Sequence, residues 1–162
     1  MPIEPATLQD LETLADQWVD LAREQRPHGS AILPDENRDR ILQHFAHHIV
    51  DDDVLVDRLD DRIVGFVMFG QNTGNLELDT DRGIVHNLYV LPEYRGAGRG
   101  TALLGAAEDA LTDRGIETIQ LEVMAANTEA REFYDRAGYH QHRVVMEKRV
   151  GVESDTNPKG HD

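Results

Sequence analysis

The 162-residue sequence contains no cysteine. That single absence excludes a disulfide framework, a thiolate metal site and a cysteine nucleophile. Positive charge is also scarce: 16 lysines and arginines stand against 31 aspartates and glutamates, for a formal net charge of -15. A field of that sign repels phosphate backbones and anionic lipid, so neither nucleic acid nor a membrane surface is an expected partner. No stretch approaches the about 18 consecutive apolar residues that a membrane-spanning helix needs. The opening, MPIEPATLQDLETLADQW, has no basic segment leading into an apolar one, so the expectation is a cytoplasmic protein. Lysine occurs only at Lys148 and Lys159, and aspartate outnumbers glutamate. That balance resembles the proteins of salt-loving organisms, because at about 1 M salt the Debye length falls to roughly 3 Å and self-repulsion is screened. An acidic surface serving solubility alone is the plainer alternative.

What is present fits one domain. A chain of this length buries about two thirds of its unfolded surface around a single core, and no repeat or linker divides it. Residues 1–150 are expected to form that domain, with 151–162 as a disordered acidic tail that has almost nothing to bury. Thr7 and Asp10 resemble a helix start, and Leu8, Leu11, Leu14, Ala15, Trp18, Leu21 and Ala22 recur at helical spacing to about residue 24. The segment RPHGSAILP breaks this helix. A second, from near Asp35, carries Ile41, Leu42, Phe45 and Ile49 on one face.

The period then changes to two. Residues 54–58 and 62–69 read as a hairpin around Asp60 and Asp61, and 84–91 as a third strand closed by Pro92. Strict alternation sets His86 on the same face as Leu88 and Val90. A helix follows over about 99–113, then a strand from Glu117, a short helix capped by Asn127 and ended by Gly138, and a final alternating strand over Tyr139–Arg149.

The strongest signal is YRGAGRGTALLGA, Tyr94–Ala106, in which two arginines and three glycines fall within a few positions of an acidic chain. A strand that feeds a glycine-rich turn into a helix start is an anion site: unpaired amide donors and the positive end of the helix dipole converge there. A nucleoside-triphosphate loop would need lysine and a hydroxyl residue after its last glycine, but Gly100 is followed by Thr101 and Ala102. A dinucleotide fingerprint would need glycine where Thr101 stands. A bare strand-to-helix turn needs neither so many glycines nor the flanking arginines.

Arg95, Gly98 and Gly100, preceded by LYVLPEY and followed by a helix and LEVMAANTEAREFYDRAGY, resemble the GNAT superfamily of acyl-CoA-dependent N-acyltransferases. The likeness is carried by residues 62–148, with Asn127, Ala130, Phe133, Tyr134, Gly138 and Tyr139 at the family's spacing; the first 60 residues share only the helix–helix–strand order. The resemblance implies an α/β fold with a mixed, mostly antiparallel sheet of six to seven strands flanked by about four helices. It implies that acetyl-CoA is the cosubstrate, its pyrophosphate on the backbone of Arg95, Gly96, Ala97, Gly98, Arg99, Gly100 and Thr101. The side chains of Arg95 and Arg99 are expected to contact the cofactor, and Leu88, Tyr89, Val90, Asn127, Ala130 and Tyr134 to line its arm between splayed strands.

The chemistry implied is acetyl transfer to a primary amine, of a small molecule or a peptide N-terminus, by direct attack that uses no protein nucleophile. Tyr134, seven positions and so about two helical turns from Asn127, is the implied acid for the departing sulfur. Asn127 caps its helix, contacts the cofactor arm, or does both. For the base, Glu122 matches the glutamate of relatives that acetylate protein N-termini, and His86 the strand histidine of arylalkylamine acetyltransferases; water alone is the third choice. The acceptor is expected to approach across the first two helices and RPHGSAILP. A homodimer is compatible with the resemblance. Two rivals stand beside this reading: an acyl-CoA-binding regulatory module without turnover, and an enzyme for a longer acyl chain. His44 and His48 lie four apart on a helix, but no glutamate follows His44 and no third ligand is evident, so no metal is expected.

Overall fold

The computed structural model describes residues 3–72 and 74–151. The first helix starts as its sequence predicts. The Thr7 amide donates to the Asp10 carboxylate at 2.9 Å, satisfying a donor that a helix start leaves free. A 3-10 turn, Leu8–Asp10, leads into α1, Leu11–Gln25, which buries Leu14, Ala15, Trp18, Val19 and Ala22. After the break, α2 runs over Arg38–Val50 with Phe45 and Ile49 buried.

Five strands, β1 (Ile3–Pro5), β2 (Val54–Leu59), β3 (Arg62–Gln71), β4 (Arg82–Val90) and β5 (Thr118–Leu121), lie side by side in chain order. The first three junctions are antiparallel and β4–β5 is parallel. At the β2–β3 turn Asp60 and Asp61 both take left-handed φ, 51° and 64°, as the twist of a tight hairpin requires. The parallel junction needs a crossover, supplied by α3, Arg99–Asp113. α4, Thr128–Arg136, follows β5.

Alternation along the strands divides the core. Phe66 and Met68 of β3 join Val54, Val56, Phe45, Leu14 and Trp18 under α1 and α2. Val67 and Phe69 join Val85, Val90, Leu103, Leu104 and Leu111 under α3. Each such buried side chain contributes about 1.5–3 kcal/mol. Gly65 lets α3 come close: a Cβ there would lie 2.8 Å from the Tyr89 carbonyl and 3.0 Å from Leu103 Cδ1.

The α/β class, four helices and mostly antiparallel sheet match expectation, with three corrections. The sheet has five strands among the described residues, not six to seven. Tyr139–Arg149 is not one of them; residues 140–150 are exposed throughout and belong to no element. Period-two alternation gives a segment the capacity to pair, but a strand exists only where a partner edge meets it. Third, the β3–β4 register slips between Met68 and Phe69, which face Asn87 and Val85, so His86 is the extra residue of a β-bulge. His86 therefore leaves the face of Leu88 and Val90. The expected tail, 151–162, lies outside the described residues apart from Gly151.

Candidate active site

β4 and β5 are paired only from Arg82–Thr118 to Val85–Leu121. β4 continues to Val90 while β5 stops at Leu121, so from His86 onward the β5 side of β4 has no ladder partner. Because the strands are parallel, both carboxyl ends reach the same side of the sheet. The glycine loop follows β4 and α4 follows β5, with Gly100 against the Phe133 ring, outside the strand ends where α/β sheets hold ligands.

In the loop, Pro92–Tyr94 makes one 3-10 turn and Gly96 and Gly98 both adopt φ +84°. Left-handed backbone of this kind favours glycine. Gly98 is the N-cap of α3, and Gly100 passes the Phe133 ring of α4, 3.6 Å from a built Cβ. The first closing bond of α3 runs from the Ala102 amide to the Gly98 carbonyl, 3.0 Å. Among the described residues no backbone or side-chain acceptor serves the amides of Gly96, Ala97, Gly98, Arg99, Gly100 or Thr101. Six free donors at a helix start form a cradle for an anion.

Both loop arginines are ion-paired with carboxylates in this structure. Arg95 forks onto Glu24 of α1, at 3.0 and 2.9 Å, donates from Nε to the Val90 carbonyl at 2.7 Å, and lies over the Tyr89 ring. Arg99 pairs at 2.8 Å with Asp57 of β2, whose side chain is fully buried. Carboxylates brought in from distant parts of the chain hold both guanidinium groups. Sequence reasoning missed Glu24 and Asp57; an aspartate inside the apolar run VLVDRL was the available signal for the second.

Asn127 fulfils its capping role: its Oδ1 accepts from the Ala130 amide at 3.1 Å, and its Nδ2 donates to Gln25 at 3.4 Å, tying α4 to α1. Tyr134 is half-buried on α4, its ring 5.1 Å from that of Phe133 and 6.0 Å from that of Tyr139. Burial pushes its phenol up to about 12, because a phenolate is poorly solvated there. Its hydroxyl has no hydrogen-bond partner among the described residues. Tyr89, by contrast, is buried, and its hydroxyl donates to Glu24 at 3.4 Å; burial and that carboxylate raise it to about 12. Leu88 is half-buried and Val90 buried on β4.

The bulge delivers His86 to the α2 side, where its ring meets His48 edge to face at 5.3 Å. A recess of about 340 Å³ opens there, lined by His48, Asp53, Gly70, Gln71, His86 and Arg114 among others. Although His86 keeps an exposed surface, desolvation by these walls pulls its pKa below the usual histidine value. The neighbouring His48 and His44 act in the same direction and Asp53 opposes them. Arg114 holds Asp53 at 2.6 Å. Glu122 is exposed, one residue beyond β5. A smaller apolar recess, about 170 Å³, lies between α1, α2 and their connection, lined by Trp18, Ile32, Asn37, Arg40, Ile41 and His44. Among the described residues no group of three or more histidines and carboxylates is placed to hold a metal ion.

The model of the acetyltransferase (GNAT) family matches residues 15–139. An uncharacterized N-acetyltransferase of Methanocaldococcus jannaschii is 34% identical over 96 residues, 59% of this chain and 42% of the relative. N-alpha-acetyltransferase 30 of Schizosaccharomyces pombe is 34% identical over 84 residues, 52% of this chain and 55% of the relative. The chain thus spans about half the length of the curated relatives it matches. Two solved structures share the fold: a mutant BH1408 protein of Bacillus halodurans (TM-score 0.78, 22% identity, 93% of this chain and 99% of that one) and a GCN5-related N-acetyltransferase of Ralstonia eutropha (0.75, 22%, 93% and 99%).

Proposed function

The chain belongs to the acetyltransferase (GNAT) family, and from that premise we propose that it transfers an acetyl group from acetyl-CoA to a primary amine within a ternary complex. One observation carries the reading: six amides without an acceptor among the described residues, Gly96 to Thr101, stand where the two parallel strands part. The pyrophosphate sits on those amides, and the pantetheine arm runs along β4, past Val90 and Leu88 toward His86. His86 lies four positions before Val90, about 13 Å at 3.3 Å per residue. That gives the reacting carbonyl a position beside the bulge.

The amine nitrogen attacks the thioester carbonyl, the new C–N bond forms, the C–S bond breaks, and the thiolate leaves. Tyr134 protonates it; a phenol raised to about 12 carries its proton throughout the working range. The amine's proton passes, through water, to His86. Its lowered pKa keeps this imidazole neutral and receptive near pH 7. Its place in the lining of the polar recess favours it over Glu122, which lines neither recess. Most of the acceleration comes from holding two reactants in register.

The acceptor enters from the α1–α2 side, where the apolar recess at Trp18, Ile32 and Ile41 receives its apolar part. The kinship with an N-alpha-acetyltransferase keeps peptide N-termini beside small amines as acceptors. The net charge of -15 fits a cationic acceptor in dilute salt, a preference that molar salt screens. An acetyl-transfer assay in molar salt against a panel of amines and peptide N-termini tests the proposal. Turnover with at least one acceptor is the expected result; tight CoA binding with no turnover on any acceptor would contradict it.

A further inference from the structure

Among the described residues Asp57 is the most deeply buried charged group, set in the apolar run VLVDRL of β2. Packing alone does not ask for a carboxylate there. Leu55, two positions earlier and so on the same face of the strand, packs into the core under α3. Gly65, opposite Asp57 on β3, has no side chain to meet it. The Asp57 Oδ1 atom is buried without a hydrogen-bond partner among the described residues. A half-satisfied buried carboxylate lowers stability, and apolar side chains in place of a buried ion pair often serve a core as well or better.

The polar reach of Asp57 goes instead to one residue of the glycine loop. Its Oδ2 accepts from Arg99 Nη1 at 2.8 Å, and Arg99 is the first residue of α3, directly after the Gly98 cap and among the six cradle amides. The same guanidinium lies over the Tyr94 ring, 5.6 Å from its centroid, and Tyr94 ends the 3-10 turn that precedes the loop. Arg99 thus joins the two ends of the glycine turn, and Asp57 fixes that joint to the sheet. The other tether, Arg95 to Glu24, is of a different kind: its side chains are 43% and 38% exposed, against 17% and 0% for Arg99 and Asp57. Salt screens an exposed pair far more than a buried one.

We propose that Asp57 is a positioning residue for the cosubstrate: through Arg99 it sets the Gly96–Thr101 amides in their anion-binding arrangement before any ligand arrives. The role rests on the acetyl-CoA reading given above. Its effect is geometric, because a carboxylate beside an anion site and the guanidinium that neutralises it add no net charge. A loop ordered in advance spares the ligand the cost of ordering it.

The test separates positioning from stability. Asp57→Leu with Arg99→Leu removes both charges together, so denaturant unfolding is expected at the native midpoint or above it. The Kd for CoA, by calorimetric titration, is expected to rise about tenfold or more. Nitrogen-15 relaxation of the ligand-free protein reads the loop itself. In the native chain the amides of Gly96–Thr101 are expected near the rigid order parameter of about 0.85, and in the double variant at about 0.6 or below. A double variant that folds and binds CoA with native affinity, or a native loop whose amides are already mobile without ligand, would overturn the proposal. Should the double variant fail to fold, the native order parameters still decide it. A native chain with a rigid loop that binds no CoA would contradict the acetyl-CoA reading, while the order parameters of the two chains would still show whether Asp57 positions the loop.

Discussion

The two ends of the β4 groove are built from different material. At the carboxyl end, the glycine loop offers backbone: six amides without an acceptor among the described residues, with both neighbouring arginines paired to Glu24 and Asp57. At the bulge, the recess is made of side chains, His86 against His48 and Arg114 against Asp53. A backbone site depends on which residues lack a Cβ, and that is written locally in glycine spacing. A side-chain site depends on which residues the tertiary register brings together. The first suits a constant, polyanionic ligand; the second can change what it binds by changing a few residues.

The difference can be broken at the backbone end first. Gly98→Glu sets a carboxylate and a Cβ at a left-handed N-cap, and we expect CoA affinity to fall about a thousandfold or more, roughly 4 kcal/mol, by calorimetric titration. The circular dichroism spectrum should not change. Asp57→Ala is next. It leaves the Arg99 guanidinium, 17% exposed, without its buried partner, and breaking such a pair costs about 3–5 kcal/mol, readable in denaturant unfolding.

Tyr134→Phe removes one atom and should lower kcat about a hundredfold with little change in CoA affinity. In the native chain kcat should hold through about pH 10, where a free phenol titrates, because burial has moved this one to about 12. The smallest effect belongs to the side-chain end. His86→Gln should slow transfer by less than about tenfold, since water can carry the proton in its place. The sign of the pH effect follows from the lowered pKa: His86 is neutral and active above it, so kcat/KM should fall only below the usual histidine value of about 6.5. His86→Gln should flatten that limb; an unchanged limb would assign the proton to Glu122 or water.

What could be read in advance divides along the same line. The Thr7–Asp10 start of the first helix, the hairpin at Asp60 and Asp61, the glycine loop and the Asn127 cap each depend on residues within a few positions of one another, and each is found as expected. The β-bulge was not legible, because a one-residue slip opposite Met68 and Phe69 is decided by packing on both faces of the sheet. Nor were the partners of Arg95 and Arg99, which lie 71 and 42 residues away in the chain. Tyr139–Arg149 shows the opposite failure: its alternation is real, but a pairing partner is not a property of the segment itself.

The central claim is that backbone amides of the glycine loop hold the cosubstrate. Titration of nitrogen-15-labelled protein with CoA, followed at the amides of Gly96, Ala97, Gly98, Arg99, Gly100 and Thr101, tests it most directly. Saturable shifts at these six, larger than those at His48 or Arg114, are predicted; saturable binding that leaves the six amides unmoved would contradict the account.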